Sequence, residues 1–103
     1  MDMPKRPFTK EAVNRTETLF GVYVLWKDDE VIYIGKADIE EEGGIRAKLE
    51  RHLAGKYAEE TARATHFQED YVAYPSARRT MLLEEYRDKH GRYPHCNMVR
   101  QEK

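Results

Sequence analysis

The sequence predicts an α+β domain built from a small three-stranded antiparallel sheet flanked by helices. Three observations carry this expectation. Residues 20–25 and 31–34 are rich in Val, Ile, Tyr and Leu and flank the polar Lys27-Asp28-Asp29-Glu30, the pattern of a β-hairpin. Two later segments, within 45–55 and 76–91, place apolar residues at helical spacing. The chain has 103 residues, 40% of them hydrophobic, which suits one modest core. Strands followed by helices pack most simply as a sheet with helices laid on it.

Taken in order, residues 1–8 hold Pro4 and Pro7 among basic side chains and are expected to be loose. Thr9 is placed to cap a short helix with Glu11 in its first turn. The hairpin follows. Gly43-Gly44 then break the chain, and Ile45, Leu49, His52 and Leu53 fall on one helical face, with Gly55 as a stop signal. Residues 56–66 are ambiguous. The segment Thr65–Tyr74, with apolar points at Phe67, Tyr71 and Val72, is the candidate third strand. Ser76 is expected to cap a helix whose apolar face is Leu82, Leu83 and Tyr86, ending at Gly91. Arg92–Asn97 reads as a loop, and 98–103 as a loose polar end. No repeat or second domain is evident, so 1–103 reads as one domain.

Charge and composition bound the function. The formal net charge is −1, which argues against a general polyanion binder and leaves local patches open. With 36% charged residues and no apolar run near the roughly 20 residues of a membrane span, the chain is expected to be soluble and not membrane-bound. It opens without a secretory pattern, and Cys96 is alone, so a reducing cytoplasm is the expected setting. His90, His95 and Cys96 do not have the number or spacing of ligands that a zinc site needs.

Three further groups of residues invite a functional reading, and each has an ordinary one. Tyr23 and Tyr33 lie beside Gly21 and Gly35 on the hairpin, yet Tyr is a favoured strand residue. Arg46, Lys48, Arg51 and His52 suit a phosphate-facing helix or a solvated cationic face. Glu84, Glu85 and Asp88 among Arg78, Arg79, Arg87 and Lys89 are explained by i,i+4 pairs.

In combination these features resemble the GIY-YIG nuclease domain family. The "GVY" of Gly21–Tyr23, the "YIG" of Tyr33–Gly35, the helix "IRAKLERHL", the helix ending "LLEEY" and the closing "GRYPHCN" carry the resemblance, from about Phe8 to Asn97. It is closest to stand-alone and restriction-type members. The resemblance implies metal-dependent hydrolysis of DNA phosphodiesters, with one divalent cation, Mg²⁺ or Mn²⁺, held by a glutamate. It implies a site face with the two tyrosines as base and positioning group, an arginine on the phosphate, and an asparagine. Tyr23, Tyr33, His52 and Asn97 match these positions. Lys48 stands at the family arginine, keeping the charge but losing the planar fork. Arg79 stands at the family glutamate, and an arginine repels a cation. Glu84, Glu85 and Glu69 are the remaining candidates for the acid. Arg46, Arg51 and Arg79 are the candidate contacts to nucleic acid. The alternative expectation is a catalytically degenerate domain that binds nucleic acid or a protein partner without cutting. A homodimer is also compatible with so small a domain.

Overall fold

A computed structural model describes residues 3–100. The elements in chain order are β1 (Arg6–Pro7), α1 (Lys10–Asn14), β2 (Gly21–Lys27), β3 (Glu30–Ala37), α2 (Gly44–Leu53), α3 (Glu59–Ala62), β4 (His66–Asp70), α4 (Pro75–His90) and α5 (His95–Arg100). The fold is α+β, and every strand pairing is antiparallel. The sheet has four strands in the order β1-β4-β2-β3. The added strand corrects the expectation of a loose start: Arg6 pairs with Phe67, Pro7 pairs with His66, and Phe8 is buried. Met1 and Asp2 lie outside the described residues.

The hairpin forms where polarity and turn chemistry agree. β2 and β3 are longer than the apolar runs, and Asp28 takes a left-handed φ of 55° in the turn between them. Asp28 is one of the residue types that tolerate this conformation. A bulge between Leu25 and Trp26 shifts the register by one residue against β3.

Alternation sends the two sides of the sheet into two cores. Tyr23, Leu25 and Phe67 join Phe8, Val13, Ile45 and Leu49, so α1 and α2 cover that face. Val22, Val24 and Ile34 join Leu82 of α4 on the other, with Trp26, Leu83 and Tyr86 half-buried around them. Thr9 caps α1, its hydroxyl accepting the Ala12 N–H at 3.2 Å. The start of α4 departs from expectation. Pro75 opens the helix, where a missing N–H costs nothing, Ser76 lies inside the first turn and does not cap it, and Tyr74 precedes it without a side-chain cap. Gly91 ends α4 at φ 81°, as the sequence suggests.

The ambiguous stretch contains the short helix α3, and the expected loop and loose end contain α5. Residues 98–100 are therefore helical, while 101–103 lie outside the described residues. Two side chains dock α5: Cys96 is buried in the core with Phe8, Val13 and Leu49, and Asn97 bonds the edge of β3. Asn97 is buried, its Oδ1 accepts the Ile34 N–H at 2.8 Å, and its Nδ2 donates to the Ile34 carbonyl at 2.9 Å. β3 is an edge strand, and the Asn97 amide replaces the missing neighbour at that position.

Truncating this amide tests the docking. Asn97→Ala leaves the buried Ile34 N–H without its acceptor and takes one of two donors from the Ile34 carbonyl, and is expected to cost about 1–3 kcal/mol. Met98→Ala, at an exposed neighbouring position, should stay within about 0.5 kcal/mol of wild type. Urea unfolding curves compare the two, and equal stabilities would show that the amide does not hold α5.

Candidate functional site

The site is built on the cross-strand pair of Tyr23 with Gly35. The Tyr23 ring lies across the neighbouring strand at the position where Gly35 has no side chain. A methyl group there would sit 2.5 Å from the Tyr23 hydroxyl oxygen and 2.7 Å from Tyr33 Cε2. Gly21 serves a different need: its missing side chain admits the backbone of Asp70 and Tyr71, whose Cα would be 2.9 Å from an added methyl. The two glycines of the hairpin are thus filled by this chain's own ring and backbone.

Tyr33 follows from the same alternation. It is on the Tyr23 side of the sheet, half-buried, with the two ring centroids 6.1 Å apart. α2 brings His52 down onto both, at 5.5 Å from Tyr23 and 5.1 Å from Tyr33. Tyr57, just past α2, packs edge-on against His52 at 4.5 Å. Tyr57 was not among the expected site residues, because it falls in the stretch where periodicity fails.

The hydrogen bonds fix the direction of this cluster. Thr61 Oγ1 donates to the Ala58 carbonyl at 3.2 Å, so it accepts the Nδ1–H of His52 at 3.0 Å. His52 Nε2 is then the acceptor for the Tyr23 hydroxyl at 2.8 Å. Tyr23, His52 and Thr61 are all buried. Burial pushes the Tyr23 phenol well above its ordinary value, and Tyr33, Tyr57 and Glu41 push the same way. Arg79 alone among the principal contributors pulls it down. Tyr23 is thus a neutral donor near neutral pH, with an imidazole nitrogen in place to receive its proton.

Charged groups surround the ring cluster. Lys48 Nζ is 6.0 Å from the Tyr57 centroid and is ion-paired with Glu41 at 2.8 Å. Arg51 is exposed, with Nη1 at 3.5 Å from the Tyr57 hydroxyl. Arg79 is half-buried on α4 and donates Nε–H to the Ile34 carbonyl at 3.2 Å. Arg46 is spent elsewhere, holding the Thr16 carbonyl through Nε at 2.8 Å and through a second guanidinium nitrogen. Asn97 is one strand position from Gly35, but both ends of its amide are taken by Ile34.

The carboxylates do not assemble a cation site. Glu69 faces Tyr23 across β2 and β4, but it is buried in an ion pair with Arg6 and receives the Tyr71 hydroxyl at 3.4 Å. Glu84 and Glu85 are exposed on α4. Among the described residues, no group of three or more His, Cys, Asp or Glu side chains is arranged to hold a metal ion. With Arg79 exerting its charge at the Tyr23 hydroxyl and Glu41 already bound to Lys48, the donor set does not fit a divalent cation. Among the described residues, no helix is long and apolar enough to cross a membrane. No family model matches the chain, and no curated protein matches it.

Two measurements test the geometry. Gly35→Ala is expected to cost about 1–3 kcal/mol, because the Tyr23 ring must leave its place. An unchanged unfolding midpoint would contradict the close approach. In an alkaline titration of tyrosinate absorbance, Tyr23→Phe should remove a late step and leave the ordinary tyrosine steps intact. The sign for stability follows. The folded value lies above the unfolded one, near 10, so the Tyr23 contribution is full below about pH 10. It is lost as pH rises from there through the folded value.

Proposed function

We propose that this chain is a catalytically degenerate GIY-YIG-like domain that binds the phosphate backbone of nucleic acid, with DNA as the expected form. The observation that carries the reading is Arg79: where the resemblance puts the metal-binding acid, α4 carries a guanidinium bonded to the Ile34 carbonyl, between the strand positions of Tyr33 and Gly35. A cation there attracts a phosphate oxygen directly and repels the metal that would activate it. Arg79 and Arg51 supply point charges around a floor of Tyr23, Tyr33, His52 and Tyr57. Binding by such a patch needs no overall positive charge, consistent with a net charge of −1.

A second reading, metal-dependent phosphodiester hydrolysis, is favoured by one observation. The chain of donors from Tyr23 through His52 to Thr61 leaves an imidazole nitrogen able to accept the phenol proton. A hydrolase would need that proton relay, whereas a binding protein needs it only for packing. The acid remains the missing part.

Plasmid nicking with Mg²⁺ or Mn²⁺ separates the two. The wild-type chain is expected to leave supercoiled plasmid intact while shifting a labelled duplex in a salt-dependent manner. Phosphate contacts give a slope of log affinity on log salt of about −0.9 per contact on duplex DNA. Arg79→Met and Arg51→Met should each weaken binding and flatten the slope by about one contact. Metal-dependent nicking that is lost in Tyr23→Phe would establish the hydrolase instead.

A further inference from the structure

We propose that Glu41 is an affinity-determining residue of the phosphate site: the chain's own carboxylate occupies Lys48, and a nucleic-acid phosphate gains that cation only by displacing it. This rests on the phosphate-binding reading above. Glu41 lies in the connection between β3 and α2, and its two oxygens are separately held. Oε2 is 2.8 Å from Lys48 Nζ, and Oε1 accepts the Asp38 N–H at 2.6 Å. Asp38 is itself ion-paired with Lys36, which ties the connection back to the end of β3.

The placement makes Glu41 a competitor and not a distant surface charge. Lys48, like Arg51, is a cation beside Tyr57, which packs on His52, which bonds Tyr23. The Glu41 charge also reaches the Tyr23 hydroxyl, where it opposes Arg79. Burial pushes the Glu41 carboxyl up, but Lys48 and the Asp38 amide outweigh it, and the group sits below its usual range. It is ionised at neutral pH. An incoming phosphodiester is also a monoanion, so at Lys48 it exchanges one anion for another. The Glu41 and Lys48 side chains keep 36% and 21% of their surface exposed, so the exchange needs a rotamer change and no opening of the fold.

Glu41→Gln tests this with little disturbance. The amide retains an oxygen for the Asp38 N–H and removes the charge that holds Lys48. Glu40→Gln, at an exposed position in the same connection, changes the net charge equally and is the control. Binding of a short fluorescent DNA duplex, and of its single strand, is measured by anisotropy across a salt series. Thermal unfolding of each variant is measured alongside. Glu41→Gln is expected to bind about two- to fivefold tighter than Glu40→Gln, the range of a partly exposed ion pair. Its salt slope should steepen by about one contact. Adding Lys48→Met should abolish the gain. Equal affinities for the two Gln variants, or a gain that survives Lys48→Met, would overturn the role of Glu41 while leaving wild-type binding as evidence for the phosphate site. Absence of binding by both wild type and Glu41→Gln would overturn the phosphate reading and this inference together.

Discussion

The hydrogen bond from the Tyr23 hydroxyl to His52 Nε2 is the constraint on which the rest of the site depends. It joins a central strand to α2 through two buried polar groups, each costly to bury without a partner. Its geometry makes demands in every direction. Gly35 must lack a side chain so that the phenol can lie across β3. Thr61 must hold the other ring nitrogen, so the short α3 has to fold back onto α2. Ile45 and Leu49 must be buried beside His52 on one face of α2, so that the same face brings apolar mass and one acceptor to the sheet.

Much of this was legible in the sequence because it rests on period and punctuation. The hairpin, α2 and α4 each combine an apolar pattern with a local stop signal, such as the Asp28 turn or Gly91, whereas β4 is only His66–Asp70 and leaves the expected apolar points Tyr71 and Val72 beyond its end. The pairing of Tyr23 and Tyr33 on one face follows from strand alternation. What escaped has no local signature. β1 is two residues long and exists because Arg6 reaches Glu69, a contact 63 positions away in the chain. α5 is fixed by Asn97 on Ile34, again 63 positions apart. Tyr57 and Thr61 belong to the stretch without periodicity, and their value to the site comes from where α2 ends. Asn97 itself was marked as a site residue from the family resemblance, and the described contacts give its amide a structural task.

The distribution of charge is as telling as the ring cluster. Part of the basic charge is consumed inside the molecule: Arg6 answers Glu69 and Arg46 holds the Thr16 carbonyl. A count of basic residues in the sequence therefore overstates the charge offered to a partner. The cations left around Tyr23, Tyr33 and Tyr57 are few, and one of them, Lys48, is already answered by Glu41. A chain with this arrangement would discriminate by position and not by bulk charge, as expected of a near-neutral surface.

The Asn97 amide on Ile34 also bears on how the molecule behaves in a crowd of its own copies. A bare sheet edge is a template onto which another chain can add a strand. Here one edge is short and carries Pro7, which has no N–H to offer, and the other has its Ile34 groups covered by α5. The covering element follows β3 in the chain, so during synthesis the β3 edge exists before its shield does. A nascent or proteolytically shortened chain ending before residue 95 would leave the Ile34 N–H on the β3 edge without its acceptor. The α5 helix is in this sense a safeguard against aggregation, held in place by the Asn97 amide and the buried Cys96.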